Sequence, residues 1–206
     1  MPAALYLIRH GQTPDNAARR FRGPDGHLEA LSETGQAEAL ALAQGLARLD
    51  LPRPRLYASP YLRAQQTAES IAAALRVPLQ TLPGVHEIDT GDWKGRPYAD
   101  VDSRVHELIA PDGLFGYPGG ESLSGVAERV HRALTGLRPQ DGETVLVVSH
   151  GAALVALLSR LLGRDMKTAY LSNEFQHGNT AVTELTWNED GQPDVVRLAD
   201  LSHLGG

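Results

Sequence analysis

Two runs of the chain end alike. Leu5-Tyr6-Leu7-Ile8 leads into Arg9-His10-Gly11, and Val145-Leu146-Val147-Val148 leads into Ser149-His150-Gly151. Each is a short apolar stretch stopped by a polar residue, a histidine and a glycine, the pattern of a buried strand and its end. In a parallel sheet both histidines fall at carboxyl ends of strands, where open α/β sheets bind ligands. Glycine there lets the backbone approach a ligand closely, and a helix after Gly151 points free N–H groups at an anion. A neutral imidazole in such a place can serve as nucleophile, general base or metal ligand. A lone histidine is more often a packed structural residue. Two matching strand ends in one chain point instead to a shared site.

Two arginines suggest what that site holds. Arg9 ends a buried strand and needs a partner, because an unpaired buried charge is costly. Ser59-Pro60 reads as a helix start, with Ser59 as N-cap and Pro60 in the first turn. Arg63 then lies about one turn inside that helix, facing the positive end of its dipole, which costs roughly 0.3–1 kcal/mol unless an anion is bound there. A surface pair with Glu69 is the plainer explanation. A phosphate monoester carries about −1.5 to −2 charge near neutral pH, and two arginines would balance it in bidentate geometry.

The elements that position these residues alternate. Ala3 to Ile8 is expected as a strand, followed by a polar excursion from Gln12 to Ala30. Ser32 caps a helix to about Leu49, and Arg55 to Ala58 is a second strand. The helix after Ser59 runs to about Leu75, and Val77 to Leu82 is a short strand. Pro83 to Pro97 is a glycine-rich loop, a helix is expected from about Tyr98 to Ile109, and Pro111 to Gly120 is loop again. Leu123, Val126, Val130, Leu134 and Leu137 recur at helical spacing. Thr144 to Val148 is a strand, Ala152 to Leu162 a helix, and Thr180 to Ala199 a hairpin around Asp190-Gly191. Strands alternating with helices predict an α/β fold, a three-layer α/β/α sandwich around a mostly parallel sheet. Residues 1–206 read as one domain, with loop and helix cap elements around 12–30 and 94–122.

Composition bounds the function. The 206 residues are 42% hydrophobic and 21% charged, as in a soluble globule. A formal net charge of −6 disfavours a general nucleic-acid binder but permits a small basic pocket. There is no cysteine, which removes disulfides, thiolate zinc sites and cysteine nucleophiles and fits a cytoplasmic protein. No stretch of sequence reads as a signal peptide or membrane span.

Read together, the motifs resemble those of the histidine phosphatase superfamily, in the branch containing cofactor-dependent phosphoglycerate mutase. Arg9-His10-Gly11-Gln12-Thr13 with Asn16 is similar to its phosphohistidine motif. Phe21-Arg22-Gly23 and Leu31-Ser32-Glu33-Thr34-Gly35 resemble the segment after the nucleophile. Ala58-Ser59-Pro60-Tyr61-Leu62-Arg63-Ala64-Gln65-Gln66-Thr67-Ala68 resembles the second-arginine motif, and Glu87 to Gly95 the loop bearing its acidic residue. Tyr117 to Ser122, Val148 to Gly151 and Asn179 to Leu185 also match. An Arg-His-Gly triplet is weak evidence, whereas this ordered set spans nearly the whole chain.

The resemblance implies a phosphoglycerate mutase-like fold and a set of roles. His10 is the nucleophile, Arg9, Arg63 and His150 hold the phosphoryl oxygens, and Glu87 is the proton donor, favoured in its neutral form beside a bound phosphate. Protonated His150 would stabilise the phosphoryl charge best. Gln12, Asn16, Arg22 and Gly151 are expected to touch substrate. No metal or organic cofactor is implied, and the partner is a small phosphorylated molecule rather than nucleic acid or membrane, with a homodimer left open. His177 is a candidate for the site rim. Phe21, Trp93, Phe115 and Tyr117 are candidates for the leaving-group pocket. Lys94 departs from the family pattern, which often has glutamate there, and Pro24 to Ala30 is longer than usual.

Rival readings remain at this point. A phosphoglycerate mutase is opposed by the short chain and by Glu87-Ile88-Asp89-Thr90-Gly91, where the mutases carry a Glu-Arg-His-Tyr-Gly type of sequence. A metallohydrolase using His10, His150 and Glu87 would set arginines beside a cation and lacks a His-x-x-x-His pair. A non-catalytic phosphate-ligand binding protein would not need the full set of nucleophile, arginines and acid.

Overall fold

A computed structural model of the chain describes residues 3–22 and 26–205. Gly23, Pro24 and Asp25, within the segments singled out above, lie outside the described residues. In chain order the elements are β1 (Ala4–Arg9), α1 (Pro14–Ala17), α2 (Glu33–Leu46), β2 (Pro54–Ala58), α3 (Leu62–Leu75), β3 (Leu79–Thr81), α4 (Asp100–Ser103), α5 (Leu123–Thr135), β4 (Thr144–Ser149), α6 (Gly151–Leu161), α7 (Met166–Leu171), β5 (Val182–Trp187) and β6 (Pro193–Asp200).

The six strands form one sheet in the order β3-β2-β4-β1-β5-β6. The first four are mutually parallel; β5 runs antiparallel to β1, and β6 to β5. Strands β1 and β4 are central and covered on both faces, so their sequences are continuously apolar rather than alternating. Alternate residues nevertheless enter different cores. Leu5, Leu7, Val145 and Val147 pack with α5 and α6 through Val126, Val130, Leu154 and Leu157. Tyr6, Ile8, Leu146 and Val148 pack with α2 and α3 through Leu42, Leu46, Ala64 and Ile71. The result is the three-layer α/β/α sandwich expected from the alternation of elements.

Local chemistry sets most boundaries. Ser32 caps α2 by accepting from the Gly35 N–H, and Ser122 caps α5 by accepting from Gly125. The β5–β6 hairpin turns where expected, with Gly191 at φ 73°. Two expectations need correction. The helix after β2 starts at Leu62 with Tyr61 at its N-cap and no side-chain cap, so Ser59 and Pro60 precede it. The helix expected over Tyr98 to Ile109 is only α4 and a single 3₁₀ turn at Val105–Glu107. Tyr98 is held there by its N–H donating to the Arg19 carbonyl, and Leu108 turns inward to be buried. Two short helices were not anticipated. One is α1, which Thr13 and Asn16 close with a capping box around Pro14, and the other is α7, capped by Asp165.

The two excursions join each other over the sheet's carboxyl edge. Phe21 donates to Arg96 O, Gly95 to Phe21 O, and Tyr98 to Arg19 O. Among the described residues no helix is long and apolar enough to cross a membrane.

Candidate active site

Parallel pairing of β1 with β4 sets Arg9 opposite Ser149, so His10 and His150 emerge side by side from neighbouring strands. Their ring centroids are 5.0 Å apart, and both side chains are fully buried. The Nδ1 of His10 lies 2.7 Å from the Gly11 carbonyl oxygen. A carbonyl only accepts, so Nδ1 carries the proton and Nε2 keeps its lone pair. The Nε2 side agrees, since it accepts from Arg63 Nε at 3.1 Å. Burial first, then the cations of Arg63, Arg22 and Arg9, holds His10 well below the usual histidine range. The imidazole is therefore neutral at neutral pH, with an unprotonated Nε2 that Arg63 occupies.

Around His10 stand donors with nothing to donate to. Among the described residues, the buried side-chain polar atoms without a hydrogen-bond partner include Arg9 Nε, Arg63 Nη2 and His150 Nδ1. Each group is anchored through another of its nitrogens. Arg9 Nη1 donates to His177 O at 2.6 Å, and Arg63 Nη1 donates to Gly26 O at 2.6 Å. The Nε2 of His150 sits 2.7 Å from Ser59 Oγ, which also accepts the Tyr61 N–H. With that N–H accepted, the Ser59 hydroxyl can donate its own proton to Nε2, the arrangement that puts the His150 proton on its unpartnered Nδ1. Ser59 thus orients a histidine instead of capping a helix. Burial, then Arg63, holds His150 well below the usual range, so it is a neutral donor here rather than the imidazolium expected from sequence. Unpartnered buried donors are rare, and three around one neutral imidazole point to an anion as their ligand.

Glu87 sits half-buried across from Arg9. Its carboxylate accepts from Ile88 N at 3.0 Å, Ala153 N at 3.0 Å and Ala152 N at 3.4 Å, the last two at the start of α6. An added Cβ at Gly151 would lie 3.6 Å from Arg9 Nε and 3.8 Å from Glu87 Oε2, so this glycine borders both. The Glu87 loop is clamped by Arg129 of α5, which donates to the carbonyls of Gly84, His86 and Glu87 and pairs with Glu121 at 2.8 Å.

Arg9, Arg63, Glu87, Arg22 and Gly151 share the wall of a cavity of about 690 Å³, with His10 and His150 buried beneath. Arg22 is paired with Glu29 at 2.7 Å. Two expected substrate contacts stand outside this wall. The Gln12 side-chain oxygen accepts from the Ser32 hydroxyl, and Asn16 serves α1's capping box and accepts from Asn179. The ring of His177 is buried against Thr183 and the Phe175 carbonyl, and burial lowers its pKa to about 4. Phe21 lines the cavity with Tyr61, Tyr98 and Tyr170, whereas Trp93 and Tyr117 pack behind Phe21 and Phe115 packs against Tyr170. Lys94 lines the rim, paired with Asp89 at 2.9 Å. Among the described residues no three His, Cys, Asp or Glu side chains are placed to share a metal ion.

Some supporting residues escaped the reading of the sequence. Thr67 accepts the Gly11 N–H and donates to the Arg63 carbonyl; its place four residues after Arg63, on the same helix face, was the available signal. Arg129 lies on the polar side of α5 and carries no local signal.

Residues 5–201 match the family model of the histidine phosphatase superfamily (branch 1). Among curated proteins the chain is similar to the "Probable phosphoglycerate mutase GpmB" of Cronobacter sakazakii, with 34% identity over 97% of this chain and 94% of that protein. Among solved structures it is similar to YhfR of Bacillus stearothermophilus, with 29% identity, a TM-score of 0.80 and coverage of 98% and 99%. It is also similar to the phosphoserine phosphatase of Entamoeba histolytica in complex with 3-phosphoglyceric acid, with 25% identity, a TM-score of 0.81 and coverage of 98% and 99%.

Proposed function

The chain belongs to branch 1 of the histidine phosphatase superfamily, and on that premise we propose that it hydrolyses phosphate monoesters of small molecules through a phosphohistidine on His10, without a metal. One observation carries the reading. Arg9 Nε, Arg63 Nη2 and His150 Nδ1 are buried nitrogens without partners among the described residues, set around an imidazole whose Nε2 is unprotonated and held only by Arg63 Nε.

The resting contact of Arg63 Nε on His10 Nε2 must open first, and a phosphoryl group offers Arg63 a better acceptor. Arg9, Arg63 and His150 then donate to the non-bridging oxygens, where phosphoryl transfer needs charge stabilised. His10 Nε2 forms a bond to phosphorus as the bond to the ester oxygen breaks, and Glu87 gives that oxygen a proton. In the second step Glu87 takes a proton from water, whose oxygen attacks phosphorus and frees His10. The cavity of about 690 Å³ accommodates a leaving group much larger than a hydroxyl, against Phe21, Tyr61, Tyr98 and Tyr170.

The names of the curated relatives favour a second reading, a phosphoglycerate mutase. Incubation with 3-phosphoglycerate and with p-nitrophenyl phosphate in EDTA separates the two. Phosphatase action releases inorganic phosphate from both, and His10→Ala abolishes it. Conversion of 3-phosphoglycerate to 2-phosphoglycerate without phosphate release would establish the mutase instead.

A further inference from the structure

We propose that Glu38 is a positioning residue for the nucleophile, acting on His10 through one intervening peptide unit. The carbonyl of Gly11 and the N–H of Gln12 belong to the same planar peptide. At one end Gly11 O accepts the His10 Nδ1 proton at 2.7 Å. At the other end Gln12 N donates to Glu38 Oε2, also at 2.7 Å. In a trans amide these groups point in opposite directions, and none of the described peptide bonds is cis. The three groups therefore form a line from carboxylate through peptide to imidazole.

Charge at one end of such a line is felt at the other. A carboxylate accepting the N–H draws the peptide's electrons toward the carbonyl oxygen, and linked hydrogen bonds strengthen one another. Gly11 O becomes a better acceptor for Nδ1–H, which fixes the tautomer and makes Nε2 more basic. The peptide has no freedom to turn away. Gly11 N donates to Thr67 Oγ1 at 3.0 Å, Gln12 O accepts from Ser32 N at 2.9 Å, and the backbone of Gly35 lies directly against Gly11.

Glu38 is half-buried on α2 and spends its carboxylate on a backbone N–H. Burial raises its pKa, while the Gln12 N–H and the facing Arg9 cation favour its charge. A half-buried carboxylate has a desolvation cost, which the Gln12 N–H and the Arg9 cation offset. Its partner is the peptide that holds the proposed nucleophile.

The kinetic side of this inference rests on the phosphatase reading, but its decisive test does not. Nitrogen-15 NMR of histidine-labelled protein, free of phosphate at neutral pH, reports which nitrogen of His10 carries the proton; a His10→Ala sample assigns the signals. The wild type should show protonated Nδ1 and bare Nε2. Glu38→Gln keeps an acceptor of nearly the same shape, so the tautomer should persist while the Nδ1 proton resonance moves upfield. Glu38→Ala should populate the Nε2–H form. With p-nitrophenyl phosphate, kcat should fall roughly 10–100-fold in Glu38→Ala and less in Glu38→Gln, with KM nearly unchanged, the size of loss seen when the partners that orient metal-bound histidines are removed. A wild type protonated at Nε2, or an Nδ1 proton resonance unmoved in Glu38→Gln, would overturn the proposal. Absence of turnover in the wild type would count against the phosphatase reading, and the resonances of Glu38→Gln would still decide the role of Glu38.

Discussion

Replacing Arg63 with methionine should make the protein more stable and nearly inactive. Arg63 is fully buried, and burial first, then the Arg22 cation, brings its pKa down to about 9. A shift of that size is on the order of 5 kcal/mol against the charged form in the folded protein. Both folded and unfolded chains hold the proton at neutral pH, so the penalty is fully present there. It fades only as pH rises from about 9 toward the unfolded value. Removing the guanidinium deprives Gly26 O and His10 Nε2 of donors, which returns about 1–3 kcal/mol of the gain. A methionine of similar length refills the space, so a net gain of roughly 2–4 kcal/mol remains, a rise in Tm of about 4–16 °C. The same change removes a donor aimed at the phosphoryl group and should lower kcat about 10²–10³-fold. Circular dichroism melts in phosphate-free buffer, with p-nitrophenyl phosphate assays beside them, measure both. Added inorganic phosphate should raise the Tm of the wild type far more than that of Arg63→Met. A variant that melts below the wild type without phosphate, or keeps activity within about tenfold, would refute this reasoning.

Three further outcomes follow from the same geometry. Glu87→Gln should cost about 10²–10⁴-fold on alkyl phosphates and much less on p-nitrophenyl phosphate, whose leaving group departs without a proton; equal losses on both would remove Glu87 as the acid. Gly35→Ala would drive a methyl into the Gln12 carbonyl oxygen, because α2 packs its first turn on that backbone; urea unfolding should show a loss of about 1–3 kcal/mol or more, and an unchanged midpoint would mean the contact is not as close as drawn. His10, His150 and His177 all have pKa values lowered chiefly by burial, that of His177 to about 4. As pH falls through the unfolded histidine value the unfolded chain takes up protons that the folded one refuses. Stability should therefore drop by up to about 1.4 kcal/mol per pH unit for each histidine, beginning near pH 6.5 and continuing for His177 to about pH 4. A stability flat from pH 7 to about pH 5 would contradict the neutral assignment of these rings.

The strand ends were legible because a fully buried parallel strand writes a continuous apolar run, and the residues that interrupt it mark the edge where ligands bind. His10 and His150 could thus be paired across 140 residues of sequence, and β1–β4 pairing explains why. The partners of those groups were not legible. Ser59 was read through its local preference for a helix cap, yet the helix begins three residues later and the hydroxyl serves a histidine from another strand. Gln12 was read as a substrate contact from its neighbours in sequence, whereas its N–H and side chain face α2 and Ser32. Arg129 and Glu38 lie on amphipathic helices, where a charged residue on the open face is the default; only the fold shows what each faces. The helix expected after Tyr98 failed for a similar reason, since the pairing of 19–21 with 95–98 holds that segment to a course its periodicity does not reveal.

Hydrolysis by the proposed route requires a covalent bond between phosphorus and His10. Rapid-quench of the protein with a phosphorus-labelled ester in EDTA, followed by alkaline peptide mapping, tests it most directly. The prediction is one acid-labile, alkali-stable phosphoryl group on His10, formed before product phosphate appears and absent from His10→Ala. Turnover with no labelled protein, label on another residue, or turnover that survives His10→Ala would contradict it.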